Sequence, residues 1–230
     1  NTYRDCTLVY NNYRVVYNAG FRDKGSPFHG GGGDYAVTVP EDNLVLGVTD
    51  RVFGSTGNGG SEATGIRGRV TAWMALRMGI PYLYAHPIRV WRNGGMHRNI
   101  SEDLEQPNSR YAEARFPGGE EGDLYKIAIW FEFDDGNSGF ASLGANLAEF
   151  KNPDGSYRLG RYRYNWQTRG FNGTANNYSN LFNLAKAANS SASTYVGNMM
   201  NLADMDEWMR VFVFNRILGN WDSYGFNISQ

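Results

Sequence analysis

One cysteine, Cys6, is all that this chain of 230 residues carries, which excludes an internal disulfide and a thiolate metal cluster. Histidine is scarce too. His29, His86 and His97 stand far apart without metal-ligand spacing, which argues against a zinc hydrolase. Neither sign of charge is in surplus: the formal net charge is -1 and the pI is near 6.4. The basic footprint of a nucleic-acid binder is therefore missing, and nucleic acid is not expected as a partner. No apolar run approaches the length of a bilayer span, so no membrane span is expected. The chain opens on Asn1-Thr2-Tyr3-Arg4 without a basic and apolar leader, so any signal peptide is expected to have been removed.

What is present suits a folded body. A content of 41% hydrophobic and 20% charged residues fits one large domain, or a compact two-lobed unit, with a real core. The surplus of Asn, Gly, Tyr and Ser over Lys and Glu resembles exported bacterial proteins, and export or the bacterial cell surface is the expected location. Asn-x-Ser/Thr triplets at Asn99, Asn172, Asn177, Asn189 and Asn227 would accept glycans only in a eukaryotic secretory pathway. A glycan on Asn227 would contradict the catalytic role considered below.

Thr7 to Val16 alternates and is rich in Tyr and Val around Asn11-Asn12, which predicts a hairpin. The following stretch, Ala19 to Phe28, sets Arg22 and Lys24 beside Gly25 and Ser26. A glycine there lets backbone N–H groups approach a phosphate that either cation would neutralise, although the spacing is not that of a Walker A loop. The competing reading is a solvated sheet edge blunted by charge. Gly30 to Gly33 reads as a loop, and Tyr35 to Val39 as a strand stopped by Pro40. Glu62 to Met78 has near-helical apolar spacing and a stop at Gly79, with Gly65 and Gly68 weakening its start.

Tyr82 to Trp91 alternates into a strand, and Asn93-Gly94-Gly95 is a turn. The acidic stretch Asn99 to Pro107 reads as a solvated loop or a short helix start. Gly122 to Phe133 is the best strand pattern in the chain. An inward Lys126 would need a carboxylate or phosphate partner there, whereas an outward one would not. Residues 134–180 read as a loop-rich insertion with Tyr157 to Trp166 its expected strand pair, and its aromatic and basic content would suit a protein substrate or a sugar. Asn180 to Ala188 is helical, and Asn189-Ser190-Ser191 breaks it. A last helix begins at Asp204 to Glu207 with Met205, Trp208, Met209 and Phe212 as one buried stripe.

After that helix comes Asn220-Trp221-Asp222-Ser223-Tyr224-Gly225-Phe226-Asn227. An acid and an amide five residues apart suit phosphoryl transfer: the acid orients a hydroxyl, and the amide reaches a magnesium ion on the phosphates. Turn chemistry alone also explains such a pair, since Asp and Asn bond their own backbone.

Several pieces stand in a recognisable order: Phe21-Arg22-Asp23-Lys24-Gly25-Ser26, Gly79-Ile80-Pro81, Val90-Trp91-Arg92-Asn93-Gly94, Gly122-Asp123-Leu124-Tyr125-Lys126, and Gly219 to Asn227. Together they resemble the CotH family of atypical protein kinases, named for a bacterial spore-coat protein, from about Tyr13 to Asn227. The resemblance implies one remotely kinase-like domain over residues 1–230, expected to be incomplete at its C-terminus. It implies ATP with magnesium, and phosphorylation of Ser/Thr hydroxyls on exported or coat proteins. Asp222 resembles the family's catalytic-loop aspartate and Asn227 its metal-side asparagine.

Where the family often has a lysine-rich strand, this chain has Asp34-Tyr35-Ala36-Val37, so the phosphate-binding lysine is Lys24, Lys126 or absent. Glu102 approximately matches a family glutamate, with Glu105 its rival. The family's second metal-binding aspartate is expected beyond Gln230, unless an internal Asp substitutes.

The expected fold is thus α+β. Strands near Thr7 to Val16, Tyr35 to Val39, Tyr82 to Trp91 and Leu124 to Phe133 form one mainly antiparallel sheet, with Glu62 to Met78 packed against it. The alternative function is a non-catalytic surface module that keeps the fold and binds carbohydrate or protein.

Overall fold

The structure is a computed structural model and describes residues 2–24, 34–56, 62–116, 122–127, 146–170, 174, 176–220 and 223. Its residues group into two compact units, Asn1–Tyr111 and Ala112–Gln230.

The first unit grows from turns that asparagine makes possible. Asn11 and Asn12 have φ of 52° and 61°, the left-handed region that asparagine tolerates, and they join β1 (Arg4–Tyr10) to β2 (Arg14–Asp23). Asn93 and Gly94 do the same, at φ 50° and 79°, between β5 (Ala85–Arg92) and β6 (Gly95–Glu105). Between the hairpins lie β3 (Tyr35–Thr38), β4 (Asp50–Gly54) and the helix α1 (Arg67–Arg77), ended by Gly79 at φ 65°.

The six strands form one sheet in the order β1-β2-β3-β4-β6-β5, and every pairing is antiparallel. This bears out the α+β class and the antiparallel sheet, and α1 packs on β5 as expected. The sheet curls until its two edges meet: Tyr10 Oη on β1 lies 3.0 Å from His86 Nε2 on β5. Tyr35, Val37 and Phe53 form the core of the curl, and Leu8, Phe21, Ile88 and Val90 pack against it. Phe21 meets Tyr35 edge-on, at 5.8 Å and 84°, a favoured aromatic geometry. A second cluster joins Val16, Ala19, Val39 and Val45.

The second unit includes most of α2 (Ser109–Arg115), then β7 (Leu124–Ile127), α3 (Leu159–Asn165), β8 (Trp166–Gly170), α4 (Ser179–Ala188), α5 (Ala192–Met200) and α6 (Met205–Leu218). Its core is aromatic. Tyr162, Trp166, Tyr178 and Leu181 are buried together, and Tyr157 stacks on Phe182 at 3.8 Å. Tyr162 Oη donates to the Ala148 carbonyl at 2.7 Å and accepts from Phe150 N–H at 3.0 Å, so its polar tip is satisfied inside. The Asp204 carboxylate caps α6 by accepting from Glu207 N–H at 2.9 Å, as the sequence signal predicts, and Gly219 closes it at φ 60°.

Four expectations are corrected. The Leu124 segment does not join the main sheet; β7 pairs with β8 in a sheet of two strands. Residues 99–105 belong to β6 rather than to a loop or helix start, and two of their acids find partners in neighbouring segments, Asp103 with Arg51 and Glu105 with Tyr84 N–H. Of Tyr157 to Trp166, residues 159–165 form α3, whose Tyr162 packs into the aromatic core, while Tyr157 precedes the helix and Trp166 opens β8. The stripe on α6 is not buried: Met209 is 53% exposed and Phe214 is the buried residue. Apolar residues at 211, 213, 217 and 218 as well as the predicted positions surround that helix, so no single face collects them.

Candidate functional site

The glycine-rich connection between β2 and β3 is anchored at both ends by described residues. Lys24 N–H donates to the Asp34 carbonyl at 2.7 Å, continuing the β2–β3 ladder one step outward. The Asp34 side chain then ties three strands together. It accepts from Ser55 N–H at 2.9 Å, just after β4, and pairs with Arg98 Nη1 of β6 at 2.5 Å.

Ser55, Thr56, Glu62, Arg98 and Asn99 line a cavity of about 350 Å³ at this place. A second hollow of about 330 Å³ shares Asn99 and Ile100 and extends toward Thr64, Pro87 and Arg89. Both volumes lie at the lower end of the range for small-molecule sites. The wall of the first is held by Glu62. Its carboxylate accepts from Thr64 N–H at 2.8 Å, from the Thr64 hydroxyl and from Arg67 N–H at 3.4 Å. The Thr64 hydroxyl and these backbone donors hold the Glu62 carboxyl below its ordinary value. Thr56 Oγ1 donates to the Glu62 carbonyl.

Glu102 lies farther along β6. Residues opposed across an antiparallel ladder share a face, so Glu102 shares one with its partner Gly54, while Asp103 and Phe53 take the other. The Glu102 face is the one that α1 covers. A Cβ on Gly68, in the first turn of α1, would overlap Glu102 Oε1 and lie 3.1 Å from Cδ. Burial, together with the charge of Glu62, pushes the Glu102 carboxyl up; a helix N-terminus is nonetheless a favourable place for an acid.

The opposite face holds a buried polar cluster that sequence reasoning missed. Arg51 of β4 pairs with Asp103 inside the curl, and His86 Nε2 stands 3.3 Å from the other Asp103 oxygen. Burial pushes the Asp103 carboxyl up against the pull of Arg51 and His86. Burial also lowers His86, Asp103 opposing, so the imidazole is neutral at neutral pH. This cluster joins β4, β5 and β6. The alternation of Ser101, Asp103 and Glu105 with Glu102 and Leu104 was the available signal, masked by its acidity.

The predicted site residues divide as follows. Lys24 borders the site, and by surface area it is exposed. Packing around its ammonium nevertheless outweighs Asp34 and sets its pKa below the ordinary value, with Arg22 adding to the shift. With so much of the residue in water, Lys24 stays a cation at neutral pH. Arg22 pairs opposite Ala36 in the ladder and lays its guanidinium 5.2 Å from the Tyr3 ring centroid, an interaction of the sheet itself.

The carboxylate acting on Lys24 is Asp34, and the charge acting on Glu102 is that of Glu62. Glu105 accepts from Tyr84 N–H at 3.2 Å. Lys126 belongs to β7 in the second unit, opposite Gln167 and exposed, which matches its outward reading. Asp222 and Asn227 lie outside the described residues, as do Gly30 to Gly33 and residues 128–145. Among the described residues no three His, Cys, Asp or Glu side chains gather as a metal site, and no helix is long and apolar enough to cross a membrane. Asp34 and Arg98 are the residues that sequence reading passed over here. The signal for Asp34 was its place directly after the glycine run.

Against protein-family models and curated proteins the chain finds no match.

Proposed function

We propose that this chain is a CotH-like phosphotransferase domain, which uses ATP and magnesium to phosphorylate Ser/Thr hydroxyls of exported or coat proteins. The observation that carries the reading is the order of parts around the cavity. In protein kinases a glycine-rich loop covers the phosphates, a strand brings a cation, and a helix supplies the carboxylate that holds it. Here a glycine-rich connection joins the paired strands β2 and β3, β4 follows, and α1 comes next and lies on the sheet. A cation held by a carboxylate, Arg98 on Asp34, borders the cavity at the end of that connection. This parallel is one of element order alone, and the chemistry belongs to the site.

In this reading Asp222 orients the substrate hydroxyl and Asn227 holds magnesium. The rate comes from positioning and from stabilising charge on the transferred phosphoryl group. The sugar-binding alternative loses its main motive, because Tyr157, Tyr162 and Trp166 pack into the aromatic core of the second unit. Phosphate transfer from radiolabelled ATP with magnesium, compared between the chain and Asp222→Ala, tests the proposal. Labelling of a Ser/Thr-containing protein or of the chain itself is expected, with loss in the variant. Equal labelling by both removes the role of Asp222, and no labelling by the unaltered chain removes the activity.

A further inference from the structure

We propose that the outer face of α1 seats this chain on an anionic lipid surface. That role is separate from phosphate transfer and uses none of the residues assigned to it. Charge is unevenly spread along the chain. Residues 63–101 carry six arginines and no Asp or Glu, although the whole chain nearly balances, with 22 Lys and Arg against 23 Asp and Glu. α1 lies within that segment and brings Arg67, Arg69 and Arg77 with no acid of its own.

The helix is docked on its sheet by its smallest residues. Ala75 is buried and Gly68 lies against Glu102, whereas the large apolar side chains of the helix point the other way. Ile66, Val70, Trp73 and Leu76 are all exposed, Trp73 to 57%. Ile66, Val70, Trp73 and Arg77 recur at helical spacing and make one stripe roughly 16 Å long, with Arg69 and Leu76 beside it. The Arg77 guanidinium lies 5.6 Å from the Trp73 ring centroid. Single exposed apolar residues are ordinary on a protein surface, but a contiguous set on one face marks a place of contact.

The mixture of aliphatic, indole and guanidinium groups fits lipid better than other anions. Tryptophan suits the headgroup level, where one end is apolar and the other wet, and arginine lays its stem on apolar surface while its head stays with the phosphates. Apolar burial and attraction to anionic headgroups add in such binding. Nucleic acid would meet the arginines but leave Val70 and Leu76 without an apolar counterpart, since its interfaces are polar. A protein partner anchors through side chains set in pockets, and neither cavity described above has a lining residue on α1. Lipid needs no pocket, because it is fluid and closes around a ridge.

Flotation of the full chain with vesicles tests this, the vesicles made of phosphatidylcholine and phosphatidylglycerol in equal parts or of phosphatidylcholine alone. The proteins are the unaltered chain, Trp73→Ser, the double variant Arg69→Gln with Arg77→Gln, and the control Tyr17→Ser. Tyr17 is exposed on β2, outside the acid-free segment. Binding to the anionic vesicles alone is expected. Trp73→Ser should weaken it roughly tenfold or more, and the double arginine variant roughly ten- to thirtyfold, at about fivefold per arginine. Tyr17→Ser should bind as the unaltered chain does.

No flotation with the anionic vesicles overturns the proposal, as does equal flotation with both compositions or by all four proteins. Capture of soluble poly-glutamate in preference to vesicles overturns it in favour of an acidic protein. A dimer of the unaltered chain that Trp73→Ser abolishes overturns it in favour of a second copy. Should Trp73→Ser not fold, Trp73→Phe decides: flotation that persists with a smaller blue shift of tryptophan emission supports the seat, and an undiminished shift overturns it.

Discussion

Gly68 and Glu102 offer a direct measure of how tightly α1 is held against the sheet. A helical glycine replaced by alanine ordinarily gains about 0.5–1 kcal/mol, because the glycine loses more backbone freedom on folding. At Gly68 the new methyl would overlap Glu102 Oε1, with Cδ at 3.1 Å and Oε2 at 3.3 Å. The whole carboxyl group is in the way, so rotating one oxygen is no escape, and Glu102 is only 9% exposed. Pushing a packed side chain off its rotamer costs about 0.5–1.5 kcal/mol, and overpacking of a filled site typically about 1–3 kcal/mol.

Gly68→Ala is therefore expected to destabilise the protein by about 1 kcal/mol, whereas in a Glu102→Ala background the same change should stabilise it by about 0.5–1 kcal/mol. Urea unfolding of the four proteins gives the coupling energy, expected between about 1 and 3 kcal/mol, in the range for residues in contact. Additivity within about 0.5 kcal/mol would refute the contact, and with it the placement of Glu102 on the α1 face.

Two further outcomes follow from the same unit. Asp103→Ala leaves the Arg51 charge buried without its partner, and a loss of about 3–5 kcal/mol is expected in denaturant unfolding; a loss below about 1 kcal/mol would mean that the pair is solvated. Glu102 titrates above its ordinary value in the folded protein. Its protonated form therefore favours folding, an advantage complete below the unfolded value of about 4.3 and lost as pH rises through the raised folded one. Glu102→Gln removes this titration, so its stability relative to the parent should improve from acid to neutral pH; a pH-independent difference would contradict the raised value.

The hairpins were legible because Asn11-Asn12 and Asn93-Gly94 mark left-handed turns by residue type, and the start of α6 because Asp204 to Glu207 mark it. β6 was not, since Glu102, Asp103 and Glu105 look like solvated charge until Arg51, Glu62 and α1 supply their surroundings. β4 opens on Asp50-Arg51, and its character comes from burial by β3 and β6 rather than from its own pattern. Tyr157 to Trp166 shows the reverse error: aromatic residues suggested a strand pair, but the stretch between the two is the helix α3, with Tyr162 in the core. The glycine-rich phosphate candidate was legible as composition. Asp34 and Arg98 could not be paired from sequence, because 64 positions separate them and only the strand order brings them together.

The meeting of Tyr10 with His86 has a consequence for synthesis. The Tyr10 hydroxyl of β1 meets a histidine that is made 76 positions later. At roughly 5–20 residues per second, that hydroxyl waits roughly 4 to 15 s for its partner. β1 is an edge strand of the six-stranded sheet, so its outer ladder beside Leu8, Val9 and Tyr10 is the kind of edge that recruits other strands. Arg4 and Asp5 at one end and Arg14 at the other place charge beside that run. The hairpin thus carries its own guard against self-association along that edge.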